Sequence, residues 1–176
     1  MNSILQIRKA GPADAAAILR LVEGLAEYEH LTPPDEPARK RLVNDMFGER
    51  PRIEAYLAEV DGTPAGYAFA FETYSSFLAL PTLYLEDLFV LPEYRKLKIG
   101  YSLFRRVALE AHQRGCGRME WTVLDWNVPA IEFYRRLGAK HMKEWHLYRL
   151  TATELDAFKD SDRQPADPTG IGSYEK

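Results

Sequence analysis

The sequence predicts an α/β protein built on a single mixed sheet, and three observations carry that expectation. Two alternating segments, 53–60 and 64–74, flank Asp61-Gly62, a dipeptide that marks a tight hairpin. Residues 82–91 are apolar at most positions, the composition of a central strand buried on both faces. An amphipathic stretch and another strand-like stretch then follow, giving the order strand, helix, strand of a parallel pair joined by a crossover helix. Such a unit opens a binding crevice at the carboxyl ends of its strands.

The remaining elements follow in chain order. Residues 4–9 alternate as a first strand. Gly11-Pro12 turns the chain, Asp14 suits a helix start, and Ile18, Leu21, Val22 and Leu25 recur at helical spacing, so a helix is expected over 12 to about 29. Three prolines within 32–37 predict a loop, and Leu42, Val43, Met46 and Phe47 a second helix. The stripe Leu103, Phe104, Val107 and Ala111 marks a helix over 100–114 that stops at Gly115-Cys116-Gly117. Residues 118–124 read as a strand. Asn127-Val128-Pro129 opens a short helix that Gly138 ends, and 139–150 reads as a last strand region. Thr151 to Glu154 has the spacing of a capping box for a short helix ending near Lys159. From Asp160 the chain is polar and rich in Pro, Gly and Asp. One domain over 1–159 and a polar tail over 160–176 are expected.

Composition excludes several function classes. The chain has 176 residues, 46% of them hydrophobic, which suits one globular domain. Its one cysteine, Cys116, cannot form an internal disulfide, which fits a reducing compartment, and a cytoplasmic location is expected. No cysteine-histidine cluster has metal-ligand spacing, so no metal is expected. The first twenty residues do not read as a signal peptide, and no window offers the roughly 18 apolar residues of a membrane span. A net charge of −3 gives no reason to expect nucleic acid.

Two segments stand out chemically. Glu86 and Asp87 are adjacent acids inside an apolar strand, and strict alternation would send them to opposite faces. A buried carboxylate is costly unless paired or used, although a strand end meeting water would also explain both acids. Next, Arg95, Lys96 and Lys98 lie in a loop that runs straight into a helix. Free N–H groups and the positive helix end favour an anion there, while a solvated basic loop is the plain alternative. No Gly-Lys-Ser/Thr follows, so the loop is not a nucleotide P-loop. Histidines 30, 112, 141 and 146 form no triad with a serine, and each reads as a surface or packing residue.

Tyr84-Leu85-Glu86-Asp87-Leu88-Phe89-Val90, then Tyr94-Arg95 and Ile99-Gly100, then the run from Asp125-Trp126-Asn127 through Phe133-Tyr134 to Gly138-Ala139, resemble the GCN5-related N-acetyltransferase (GNAT) superfamily. Within it the chain is most similar to the diamine (spermidine/spermine) N-acetyltransferase branch. Ile18-Leu19-Arg20-Leu21 and Leu25-Ala26-Glu27-Tyr28-Glu29 extend the similarity, which runs from about residue 4 to about 150. The resemblance implies a GNAT-like domain: a mostly antiparallel mixed sheet with a central splayed parallel pair, flanked by helices.

For function, the resemblance implies an acetyl-CoA-dependent N-acetyltransferase acting on a small primary amine, such as a polyamine, a diamine or a thialysine-like amino acid. Leu88, Phe89 and Val90 would carry the pantetheine arm. Arg95, Lys96, Leu97, Lys98, Ile99, Gly100 and Tyr101 would cradle the pyrophosphate, and Asn127, Pro129, Ala130 and Tyr134 would meet the other side of coenzyme A. Tyr134 matches the general acid to the thiolate, although as Phe133's neighbour on a short amphipathic helix it could also simply pack. Glu86 matches the acid that helps deprotonate the amine. Tyr28, Glu29, Glu86, Glu120, Trp121, Thr122 and Glu144 fall where that branch meets its amine. A homodimer is implied. Lys98, and often Lys96, replaces a glycine of the family loop, which bears on cofactor affinity. Acetylation of a protein N-terminus or lysine, or acyl-CoA binding without turnover, are the alternatives.

Overall fold

A computed structural model describes residues 3–159. They fall into two compact units, one through Leu124 and one from Asp125 onward.

The first unit contains the sheet. Strands β1 (Leu5–Lys9), β2 (Glu54–Val60), β3 (Thr63–Ser75), β4 (Leu80–Val90) and β5 (Arg118–Glu120) lie side by side in that order. The first four are antiparallel to their neighbours, and β5 is parallel to β4. This is the α/β class and the mixed, mostly antiparallel sheet that the sequence predicts. The hairpin between β2 and β3 turns at Asp61 and Gly62, whose φ values of 50° and 78° are those of a tight primed turn. The parallel pair stands at the edge of the described sheet. Its ladder is short, Thr82 to Tyr84 against Arg118 to Glu120. Beyond Tyr84 the β5 side of β4 carries no ladder among the described residues.

Helices cover both faces. Helix α3 (Ile99–Gln113) buries Ile99, Leu103, Val107 and Ala111 against Tyr56, Ala68, Leu83 and Leu85. Helices α1 (Ala15–Tyr28) and α2 (Glu36–Phe47) bury Ile18, Leu21 and Met46 against Leu57, Tyr67, Phe69 and Phe89. Asp35 caps α2 by accepting from the Ala38 N–H at 2.8 Å, and Pro37 sits in its first turn, where a proline's missing N–H is no loss. The proline-rich loop therefore ends sooner than its composition suggests. Arg114, just past α3, holds Glu54 of β2 at 2.7 Å and Glu110 at 2.8 Å, which ties the helix end to the sheet.

The packing of β4 departs from simple alternation. Leu83 and Leu85 face α3, and so do Leu88 and Val90, three residues further on rather than two. The reason is a bulge: Phe69 pairs with Asp87 and Ala70 with Leu85, which leaves Glu86 as an extra residue without a partner on β3. The expectation that Glu86 and Asp87 point to opposite faces is thereby corrected. Both border the space between the sheet and the α1/α2 layer.

In the second unit, α4 (Val128–Arg136) begins at Asn127, whose side-chain oxygen accepts from the Ala130 N–H at 3.3 Å. Gly138 follows the helix with φ 84°, the left-handed stop its position predicts. Helix α5 (Ala152–Asp156) has the Thr151/Glu154 capping box and ends three residues before Lys159. The expected strand over 139–150 does not form in the described chain, and the strand expected over 118–124 is limited to three residues. A strand forms only where a partner edge supplies hydrogen bonds, and 139–150 has no ladder among the described residues. The expected tail lies outside the described residues.

Candidate active site

A cavity of about 490 Å³ opens between the sheet and the α1/α2 layer. Its walls are apolar: Val22 from α1, Pro34, Ala38 and Leu42 from α2 and the loop before it, Ile53, and Phe69 and Phe71 from β3. The charged residues lining it are Glu86 and Asp87. Apolar walls with a few convergent polar groups are the usual make-up of a small-molecule site, and two carboxylates give this one a preference for a cation.

The bulge sets the two acids apart. Glu86 is exposed, as the extra residue of a bulge tends to be. Asp87 is deeply set, and the Tyr67 hydroxyl donates to its Oδ2 at 2.9 Å. Burial pushes the Asp87 carboxyl up to about 6; the Tyr67 hydrogen bond opposes that rise, and the negative charges of Glu86 and Glu29 add to it. Tyr67 is fully buried, and burial together with Asp87 holds its hydroxyl well above the ordinary phenol range, so it stays a donor. Glu29, just past the end of α1, is also raised by burial.

The predicted cofactor side lies at the carboxyl end of β4. Gly66 of β3 stands opposite Val90, and a Cβ there would come within 2.5 Å of the Phe89 carbonyl oxygen, so only glycine permits this approach. The Phe89 side chain belongs to the core under α1. Arg95 donates from Nε to the Val90 carbonyl at 3.1 Å, and its guanidinium lies 4.7 Å from the centre of the Tyr28 ring. One side chain thus joins the predicted cofactor loop to the predicted amine side. Lys96 and Lys98 both take left-handed backbone, φ 68° and 62°, the conformation for which glycine is the ordinary choice. Lys98 precedes α3, whose first N–H groups, at Ile99, Gly100 and Tyr101, have no partner within the helix. Leu97 and Tyr101 are exposed, whereas the Ile99 side chain is core. The loop thus brings together two left-handed residues, a helix start and the side chains of Arg95, Lys96 and Lys98.

Other predicted residues are more scattered. Glu120 is in register with Tyr84 and pairs with Arg118 at 3.1 Å, and it does not line the cavity. Trp121 packs edge-on to Phe104 on the α3 face, ring centres 5.3 Å apart. The Thr122 hydroxyl accepts from Tyr84 at 3.4 Å. In the second unit, Pro129 lies in the first turn of α4, and the Tyr134 ring meets Phe133 at 5.2 Å. Burial pushes the Tyr134 hydroxyl up to about 12. Glu144 lies exposed in a turn. Sequence reasoning notices Asp87 without giving it a role and misses Tyr67 altogether. Their pairing depends on the β3–β4 register, which no local pattern announces.

Comparison with known proteins places the chain among acetyltransferases. A thialysine N-epsilon-acetyltransferase from Sus scrofa is 37% identical over 161 residues, spanning 85% of this chain and 94% of the relative. An L-ornithine N5-acetyltransferase from Arabidopsis thaliana is 32% identical over 198 residues, 87% of each chain. Among solved structures, an aminoglycoside N-acetyltransferase in complex with CoA superposes with a TM-score of 0.70 at 20% identity, covering 85% of this chain and 97% of its own; at that identity the likeness speaks for the fold. Among the described residues there is no group of side chains that could hold a metal, and no helix is long and apolar enough to cross a membrane. The model of the acetyltransferase (GNAT) family matches residues 19–139, more than half of the sequence, and the chain belongs to that family.

Proposed function

We propose that this protein transfers an acetyl group from acetyl-CoA to the primary amine of a small cationic molecule: a polyamine, a diamine or a basic amino acid of the thialysine kind. The observation that carries this reading is the cavity beside β4, apolar along its walls and bordered by Glu86 and Asp87. An aliphatic chain with a charged end fits such walls. The relatives that act on thialysine and ornithine support the same substrate class.

Acetyl-CoA supplies the activated acyl carbon and a thiolate leaving group; the chain's own residues do the rest. An ammonium has no lone pair, so a base must take its proton before attack. Glu86, exposed at the bulge, is suited to accept that proton directly or through water. Asp87 offers a second negative charge for the cation. The unladdered edge of β4 past Tyr84 offers backbone groups to an extended pantetheine arm, and a strand N–H there can donate to the oxyanion. The loop from Arg95 to Tyr101 offers positive charge and helix N–H groups to the diphosphate. Tyr134, still protonated at neutral pH, can give its proton to the thiolate. The same reading expects a homodimer in the cytoplasm.

Steady-state turnover of acetyl-CoA against a panel of amines tests the proposal. A diamine and a basic amino acid should exceed a monoamine of equal length in kcat/KM, because only they carry a second charge for the acidic pocket. Preference for a peptide amine, or binding without turnover, would overturn it.

A further inference from the structure

Asp87 sits in an odd electrostatic setting. A carboxylate this deeply placed ordinarily has a cationic partner. Here its polar partner is the neutral hydroxyl of Tyr67, and none of the charges acting on it from the described residues is positive. The elements around it present Tyr67 from β3, Glu86 from its own strand and Glu29 from the end of α1. Helix α2 and the residue before β2 present Ala38, Leu42 and Ile53 to the cavity, and Arg39 of α2 is committed to Glu23 and to the Pro34 carbonyl. Two further acids, Glu86 and Glu29, act on Asp87, while Arg95, the cation of the adjoining loop, is stacked on the Tyr28 ring and bonded to the Val90 carbonyl. The Tyr67 ring, in turn, is fixed against Phe69 and Phe89, with centres 4.7 and 6.4 Å away, so its hydroxyl is aimed by the core itself.

We propose that Tyr67 is a positioning residue for the amine: its buried hydroxyl holds the Asp87 carboxylate ionised and turned toward the cavity, where it anchors the substrate's ammonium. This deepens the function proposed above and rests on it. The physical sense is a balance. Burial, Glu86 and Glu29 all favour the protonated acid, which could not hold a cation. The Tyr67 hydrogen bond is the one influence that favours the carboxylate. Without it, a larger share of Asp87 would be neutral at and below pH 7, and the pocket's hold on the cation would weaken.

The test is Tyr67→Phe, which keeps the ring and removes the donor. The acidic limb of kcat/KM for a diamine should move up by about one pH unit, near the lower end of what a hydrogen bond to a charged group contributes. KM should rise about twofold at pH 7 and nearly tenfold at pH 5, and kcat at saturating diamine should stay within about twofold. A purely structural role would lower the melting temperature and kcat together and leave the limb in place, which would overturn the proposal. A second readout needs neither turnover nor the variant's folding. The wild-type Asp87 carboxyl, followed by carbon NMR and assigned with Asp87→Asn, should titrate near 6 and move on addition of a diamine. Titration at the ordinary aspartate value with no response to diamine overturns the proposal. If no amine is turned over while Asp87 still responds in this way, the acetyltransfer reading fails and the Tyr67–Asp87 anchor stands.

Discussion

On the function proposed above, the surroundings of Tyr134 bear on one half of the reaction. With its hydroxyl raised to about 12 by burial, it is a poor base and a ready donor at neutral pH. A thiol is a stronger acid than this hydroxyl, so on the proposed reading Tyr134 stabilises the departing thiolate by hydrogen bonding as its charge develops, with full proton transfer uphill. Tyr134→Phe should lower kcat by roughly 10²-fold, as loss of a general acid does, with acetyl-CoA affinity and melting temperature little changed. A near-normal kcat in the folded variant would leave Tyr134 as a packing residue of α4. Single-turnover acetyl transfer with CoA release followed by thiol titration makes the measurement.

The loop ahead of α3 stores a different kind of information. Lys96 and Lys98 hold left-handed backbone that costs a residue with a Cβ about 1 kcal/mol or more. Lys98→Gly removes that strain but frees the unfolded chain by a similar amount, so the melting temperature should barely move. Binding separates the two roles of the side chain. Acetyl-CoA affinity by calorimetry should be unchanged or tighter in the variant; a loss of tenfold or more would make the Lys98 ammonium a phosphate ligand. The elements themselves are largely legible in the sequence. The hairpin at Asp61-Gly62, the stripe of α3 and the caps of α4 and α5 are local chemistry, and local chemistry is visible one residue at a time. The bulge at Glu86 is not, since it is decided by the register of β3 against β4. The same limit explains 139–150, where a strand is expected and the described chain forms none.

For the molecule as a whole, the carboxylates fall into two sets with opposite effects on stability. Asp14 is held at about 2, chiefly by its hydrogen bond to Arg8. Glu54 is pushed up by burial, yet Arg114 and Lys9 bring it down to about 2. Their folded values lie below the unfolded ones, so their stabilisation is present above about pH 4.5 and is lost as pH falls toward 2. Asp87 is reversed. Its folded value is above its unfolded one, so it weakens the fold as pH rises from about 4 through 6. Asp87→Asn should therefore raise the melting temperature at pH 8, by about 3 °C or more, since raising a carboxyl by one pH unit corresponds to roughly 1.4 kcal/mol. The gain should vanish near pH 4. Thermal scans of both proteins across that range would expose an ordinary Asp87 as two parallel curves.

The bulge in β4 also bears on how such a pocket can change over generations. Strand faces follow a parity rule, and a bulge is a one-residue shift in that parity. Loss of the codon for Glu86 would remove a carboxylate and make Leu85 and Asp87 immediate neighbours, which strict alternation would then send to opposite faces. Asp87 would keep its side of the sheet, and so would Leu88, Phe89 and Val90, because the ladder beyond the bulge was already in step with β3. The deletion would be silent to the core and decisive for the pocket. An insertion or deletion at this single position is thus a short mutational route between a chain with an acidic bulge and a sheet with none.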